Sequence, residues 1–391
     1  MKKILICALK SVCYNSYLYF EDRLGSELEK LGCEVTYFRA SEEPIEHLER
    51  YVGASFDAVL EFNSDLPKIK MDDGSYFLDH IQAPFYDVLL DHPLYHHDML
   101  KQQLMDFHVI CLDINHRDYI LKNYPHIKSV DVVSMTGESA AICPPMAERS
   151  TDVLFLGTYT SPAEVYDAIE HCPPFLVADI KKLIDRMLLD PRLTLEDAVT
   201  DLIPETDSLI AENFPLHMQA YFLADTYIRA FLREKLIRTL SDAGVPLSVY
   251  GGDWEKMPPL SGGNVTFHAG VPYADTFSLM ADAKITLNIM PLFKNGSHDR
   301  IPSAMLNKSV AVTDRSDMLT RLYQDGTDLV FYDTDHMELL PQQIFSLLSD
   351  EQRLSSIAEA GYENAKKNAT WETTGQRFFD ILYKNGRMSS V

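Results

Sequence analysis

The feature that most constrains this chain is a doubling. Six short apolar runs, "KILICA", "EVTYF", "FDAVLEF", "YDVLLD", "FHVICLD" and "VDVVSM", fill its first third. A second set follows: "DVLFLG", "PLSVYG", "VTFHAG", "KITLNIM", "SVAVTD" and "DLVFYD". Helix-like stretches such as "YLYFEDRLGSELEKLG", apolar at helical spacing, separate most of the runs in the first set. Continuous apolar runs alternating with helices predict parallel strands covered on both faces. Each set suffices for one doubly wound sheet, so the expected class is α/β with two Rossmann-like domains. A length of 391 residues supports two such cores.

Two prolines and a polar run in "CPPMAERSTD" suit an exposed connector between the sets. The expected division is a first domain over 1–148, a second over 149–365, and a tail over 366–391 that packs back on the first domain as a helix. The second domain carries an extra helical region of about 162–238, larger than a crossover needs. It holds the amphipathic stretches "LVADIKKLIDRMLLD" and "LADTYIRAFLREKLIRTLSDAG".

The chain has 35 basic and 58 acidic residues, a net charge of −23. That field opposes phosphate backbones and anionic lipid, while a small anionic ligand can still bind at a helix end or a single arginine. The six cysteines form no CxxC pair and no zinc-like spacing, and several sit in apolar runs, as free thiols do in a reducing cytoplasm. The start, "MKKILICALK", has too short an apolar part for a signal peptide and reads as a first strand, and no run reaches membrane-spanning length. His96 and His97 have no further ligands near them in sequence, so no metal site is expected. No GxGxxG follows the first strand, and there is neither a Walker loop nor a GxSxG elbow. Nicotinamide or flavin enzymes, P-loop NTPases and α/β-hydrolases are thereby disfavoured.

In open parallel sheets, ligands bind beyond the carboxyl ends of the strands. The polar clusters fall there: "LLDHPLYHH" and "CLDINHRDY" in the first half, "FLGTYT", "YGGDW", "HAGVPY" and "FKNGSHDR" in the second. Two such sheets facing one another are expected to enclose a cleft.

Taken in order, "LNIMPLFKNGSHDRIPSAMLNKSVAVTD" followed by "LYQDGTDLVFYD", with "DHP" in the first half, resembles GT-B glycosyltransferases of the spore-maturation, group 1-like family. The resemblance implies a nucleoside diphosphate sugar, a UDP-sugar, bound by the C-terminal domain as co-substrate. It implies an acceptor (glycan, protein or small molecule) on the N-terminal domain, and no metal or other cofactor. Many relatives place two glutamates across the turn, the second holding the ribose; the corresponding positions here are Asn295 and Ser303.

The residues of that turn fit the reading. A helix starting between His298 and Ile301 tolerates Pro302 in its first turn, where N–H groups lack intrahelical partners anyway. Its free donors and positive dipole end suit a diphosphate. Gly296 permits close approach, Ser297 adds a hydroxyl, and the planar fork of Arg300 neutralises a phosphate. Asp299 either orients Arg300 or meets a sugar hydroxyl. The competing reading is an ordinary capped turn with a surface ion pair; its place at the expected cleft favours the ligand. Gly251 and Gly252 are candidates for the ribose or a base edge, Gly270 and Val271 for the base, and Gly157, Thr158 and Tyr159 for phosphate or sugar. Turn chemistry explains these glycines equally well. Arg229, Arg233 and Arg238 lie on a helix and read mostly as a solvated face, one of them reaching the diphosphate.

Asp91 and His92 follow a buried strand. Transfer needs the acceptor hydroxyl deprotonated, which makes His92 a candidate base or acceptor ligand oriented by Asp91, with Arg300 as the third catalytic candidate. The alternative is a structural cap ahead of Pro93. Two further readings stay open: an epimerase of the same architecture and a non-catalytic nucleotide-sugar-binding protein.

Overall fold

The computed structural model describes residues 2–10, 14–202, 214–290 and 292–388. All twelve apolar runs are strands. In the first compact unit these are β1 (Lys2–Ala8), β2 (Cys33–Arg39), β3 (Ala58–Phe62), β4 (Phe85–Val88), β5 (Phe107–Cys111) and β6 (Ser129–Val132). They form one parallel sheet in the order β2-β1-β3-β4-β5-β6. In the second unit they are β7 (Thr151–Leu156), β8 (Leu247–Tyr250), β9 (Val265–His268), β10 (Ala283–Asn288), β11 (Val310–Asp314) and β12 (Val330–Tyr332). Their parallel order is β12-β11-β10-β7-β8-β9. Consecutive residues Ile4, Leu5 and Ile6 of β1 are all buried, as are Ile285 and Leu287 of β10 with Thr286 between them. Burial of neighbours in sequence is what covering both sheet faces requires.

The first unit comprises Met1–Met135 and Thr370–Val391, the second Thr136–Ala369. The boundary falls before the proline-rich connector because that connector is bound into the second unit. Ser139 Oγ donates to the Leu306 carbonyl at 3.0 Å and the Ala140 N–H to Asn307 Oδ1 at 2.7 Å. The Arg149 guanidinium donates to the carbonyls of Ala283 at 2.7 Å and Asn307 at 3.1 Å. At the other end, residues 366–369 stay with the second unit. The final helix, Trp371–Met388, lies against the helix Ser16–Lys30, with the Trp371 ring 5.8 Å from Phe20 and 6.2 Å from Tyr19.

Between β7 and β8 run the helices Pro162–Glu170, Pro174–Leu189, Leu195–Leu202, Phe214–Ala220 and Phe222–Asp242. They occupy the place of the expected helical region; residues 203–213 of it lie outside those described. The helix Arg300–Leu306 packs Ile301, Ala304 and Met305 into the core of the second unit beside Leu154, Leu156 and Phe331.

Candidate functional site

In the second unit the chain runs outward through β7, β8 and β9, then returns to lay β10 on the other side of β7. The winding direction therefore reverses between β7 and β10, the place in an open parallel sheet where loops diverge and leave a crevice at the carboxyl ends. Three segments supply its walls: the loop after β7, the turn after β10, and the helix Phe222–Asp242.

The turn after β10 is organised by Asn288, the last residue of that strand. Its Nδ2 donates to Thr313 Oγ1 at 2.9 Å, its carbonyl accepts from the Tyr332 hydroxyl at 2.9 Å, and its Oδ1 accepts from Arg300 Nη1 at 2.5 Å. The partly buried Arg300 side chain is thus aimed by a fully buried amide. Beside it Asp314 accepts from the Met290 N–H at 3.0 Å, and burial lifts its carboxyl to about 6. Pro302 sits in the first turn of the helix Arg300–Leu306, as the sequence predicts.

Asp299 lies next to Arg300 and is mostly buried. Its Oδ1 is 2.9 Å from His298 Nδ1 and its Oδ2 accepts from the Tyr273 hydroxyl at 2.5 Å. Burial acts to raise its pKa, but His298, the Tyr273 hydroxyl and Arg300 together hold it down at about 2. It therefore stays ionised.

The helix Phe222–Asp242 contributes Arg233, which corrects the expectation of a solvated face. Arg233 is partly buried and Nη1 donates to the carbonyl of Thr158. Its buried Nε has no partner among the described residues, and no carboxylate pairs with it. Burial, with the charges of Arg300 and Arg229, pushes its pKa down to about 9. Arg229 is paired with the fully buried Asp225 at 3.0 Å, and Arg238 with Glu234 at 2.7 Å. The signal for Arg233 is its position in sequence, one helical turn beyond Arg229 and one before Ile237, on a helix whose opposite face is equally apolar. No sequence periodicity marks it as turned inward.

The loops after β7 and β8 are tied together. The Gly157 N–H donates to the Tyr250 carbonyl at 2.9 Å, the Tyr159 N–H to that of Gly252 at 3.0 Å, and Trp254 Nε1 to that of Gly157 at 2.7 Å. A Cβ on Gly251 would stand 2.1 Å from the Gly157 oxygen, so the close approach this glycine permits is to protein backbone. Gly157 faces Arg233: a Cβ there would lie 3.7 Å from the guanidinium carbon. Tyr159 is buried, its hydroxyl donating to Glu234 at 2.6 Å. Gly270 and Val271 are half-buried beyond β9, and their backbone groups make no hydrogen bond among the described residues.

Other expected residues have different work. Asn295 Oδ1 accepts from Arg321 Nη2 at 2.6 Å, and the carbonyl of the buried Gly296 accepts from Ser316 Oγ at 2.7 Å. Ser297 is buried, its hydroxyl 3.5 Å from the His298 carbonyl. Ser303 is fully buried, back-bonded to the Asp299 carbonyl at 2.6 Å and packed against Gly137. A hydroxyl so used is not presented to a ligand. Pro291, in the same stretch, lies outside the described residues.

In the first unit, His92 is buried and its Nδ1 accepts the Leu94 N–H at 3.0 Å, so it caps the short helical turn Pro93–His96. With Nδ1 occupied, the neutral ring carries its proton on Nε2 and has no lone pair left for a base. That geometry corrects the assignment of His92 as proton acceptor. Its ring packs edge-on at 4.6 Å from His116. Asp91 is exposed and accepts at 2.9 Å from Nδ2 of Asn63, a buried residue held at φ 45°.

Comparison with known proteins agrees with this fold. Residues 229–380 match the family described as "Glycosyl transferase-like". An alpha-glucosyltransferase (AGT) solved in complex with UDP superposes with a TM-score of 0.58 at 11% identity, covering 98% of this chain and 100% of its own. HepE of Anabaena, solved with UDP-glucose, gives 0.55 at 12% identity over 98% of this chain and 100% of its own. TarM gives 0.50 at 11% identity over 86% of this chain, which spans only 57% of the TarM chain. No curated protein sequence matches the chain. Two parallel six-stranded sheets of this order give the chain a GT-B fold, and residues 229–380 are similar to the glycosyl transferase-like family.

Proposed function

We propose that this protein transfers a sugar from a UDP-sugar to a hydroxyl group of an acceptor glycan, protein or small molecule. The observation that carries the reading is Arg233. A partly buried guanidinium with no carboxylate partner among the described residues, next to Arg300 and at the point where the sheet reverses its winding, calls for an anion. Two such cations suit a diphosphate better than a single phosphate. The unpaired backbone groups of Gly270 and Val271 offer a flat base its hydrogen bonds. AGT and HepE, of like fold, bind UDP and UDP-glucose, which supports uridine as the base.

In the reaction the anomeric carbon–oxygen bond to the diphosphate breaks and its electron pair leaves on the phosphate oxygen. Arg233 and Arg300 are fixed beforehand, one by Thr158 and the other by Asn288, so they meet that developing charge without reorganising. The acceptor is assigned to the first unit, where Asp91 is the exposed carboxylate held by Asn63. A related alpha-glucosyltransferase is known in complex with a 13-mer DNA, but a net charge of −23 opposes a nucleic-acid acceptor here. The five cysteines described are all free, as in a reducing cytoplasm. Among the described residues no helix is long and apolar enough to cross a membrane.

Titration calorimetry with UDP, UMP and uridine tests the reading. UDP is expected to bind at least about tenfold more tightly than UMP, one charge-assisted contact's worth. Equal affinities, or none, would remove the diphosphate from the site.

A further inference from the structure

We propose that the first unit carries a binding site for an uncharged sugar, built from Asp65, Asp91 and His96 beyond the carboxyl ends of β3 and β4. The inference rests on the sugar-transfer reading for the site's role, as the place of the acceptor, and deepens it by naming the acceptor's chemistry.

The first sheet has a switch point of its own. From β1 the chain moves outward to β2, then returns to lay β3 on the other side of β1 and continues through β4, β5 and β6. The crevice of an open parallel sheet therefore falls at the carboxyl ends of β1 and β3. Lys10, two residues beyond β1, donates there to Asp65 Oδ2 at 2.9 Å, and Asp65 lies three residues beyond β3. Asn63, the first residue after β3, is buried and held in the left-handed region at φ 45°. Its Oδ1 accepts from the Leu90 N–H at 2.8 Å, and its Nδ2 donates to the Tyr17 hydroxyl and, at 2.9 Å, to Asp91 Oδ2. The whole amide is thus spent on fixing Asp91. Asp65 Oδ1 and Asp91 Oδ1 accept from no protein group among the described residues.

His96 adds a demand of its own. It is 6% exposed, and neither Nδ1 nor Nε2 has a hydrogen-bond partner among the described residues. The ring belongs to the turn Pro93–His96 that follows Asp91, and the charges that bear on it are Asp91, Lys10 and Asp65. Burial pushes its pKa down to about 4, so it is neutral and carries one N–H and one lone pair. A buried group of that kind calls for a partner. A hydroxyl, which both donates and accepts, supplies it.

The balance of charge selects the class of ligand. Two carboxylates stand against one lysine that is already paired, so phosphate, sulfate or carboxylate on the acceptor would meet like charge. A sugar brings adjacent hydroxyls, which donate to the two free carboxylate oxygens and exchange a proton and a lone pair with the imidazole.

Saturation-transfer NMR on the whole protein tests the site without any donor present. The probes are the methyl glycosides of glucose, galactose and mannose, with glucuronic acid and glucose 6-phosphate as their anionic counterparts. At least one methyl glycoside is expected to bind, and neither anionic sugar. Asp91→Asn, which turns a free acceptor atom into a donor, should weaken that binding about tenfold, and Asp65→Asn and His96→Phe should weaken it as well. The two aspartates reach solvent, so their variants decide the matter even if His96→Phe fails to fold. Absence of binding by every methyl glycoside overturns the proposal. So does equal binding of the anionic sugars, or an affinity unchanged in both aspartate variants. Calorimetry with UDP on the same protein separates the two readings. Sugar binding without UDP binding would sink sugar transfer and leave this site standing, and UDP binding without sugar binding would do the reverse.

Discussion

Asn288 Oδ1 receives the Arg300 guanidinium at 2.5 Å, so the last residue of β10 aims a cation that lies twelve positions along the chain. Asn288 is fully buried, and its work is done through Arg300. Removing the cation and removing its guide should therefore differ. Arg300→Ala is expected to lower kcat for donor hydrolysis about 10²- to 10³-fold with the fold intact. Asn288→Ala should raise KM little, lower kcat less than Arg300→Ala, and add almost nothing in the double variant. Steady-state kinetics on the three proteins check this, and additive losses would separate the two residues.

Arg233 reports on binding more than on turnover. Arg233→Ala should weaken UDP about tenfold or more, and Arg233→Lys should recover only part of the loss, because a point charge cannot keep the Thr158 contact and reach an anion together. Calorimetry at two salt concentrations should show a shallower salt dependence in the alanine variant. An unchanged affinity would place the anion elsewhere.

Gly251→Ala tests packing at the strand ends. The added Cβ would meet the Gly157 oxygen at 2.1 Å, so the β7 and β8 loops must separate. We expect a loss of about 1–3 kcal/mol, read as a drop of several degrees in Tm, together with weaker UDP binding. Gly263→Ala, where a Cβ meets nothing within 4 Å, is the control and should leave both unchanged.

The pH dependence of stability should carry a signature of the first unit. Burial pushes the Glu61 carboxyl from 4.5 up to about 7, although Ser64 Oγ and the N–H groups of Leu9 and Leu66 favour its ionised form. A folded pKa above the unfolded one means the native state holds the extra proton. The contribution is complete below about 4.5 and is lost as pH rises through 7, about 3 kcal/mol at most. Glu21, raised to about 9, extends the decline to higher pH. Urea unfolding at pH 5 and pH 7.5 should show wild type losing stability over that interval and Glu61→Gln losing less. Parallel behaviour of the two proteins would exclude Glu61 as the source.

Much of the fold was legible because burial on both faces leaves a plain trace. Runs such as "KILICA" have no polar alternation, and that one became β1, an interior strand of its sheet. The strand ends were legible too, since glycine and small polar residues gather where chains turn. Ser303 and His92 were misread for a common reason: a hydroxyl or imidazole near a strand end serves the backbone as readily as a ligand, and only the geometry shows which. Arg233 was not singled out from Arg229 and Arg238 for the opposite reason. A cation on a long helix reads as solvated unless the helix's neighbours are known, and those neighbours, Thr158 and Arg300, come from segments distant in sequence. The Tyr273–Asp299 contact likewise joins residues 26 positions apart, across two strand-end turns.

The final helix has a bearing on how the molecule is made. It completes the first unit by setting Trp371 on Tyr19 and Phe20 and Gly375 on Glu27, but it is the last of these parts to leave the ribosome. The lobe begun first must therefore wait, with an aromatic patch uncovered, while Thr136–Ala369 is synthesised as one uninterrupted segment. Order of birth and order of maturation are reversed, and chaperone attention during biosynthesis should concentrate on the early lobe.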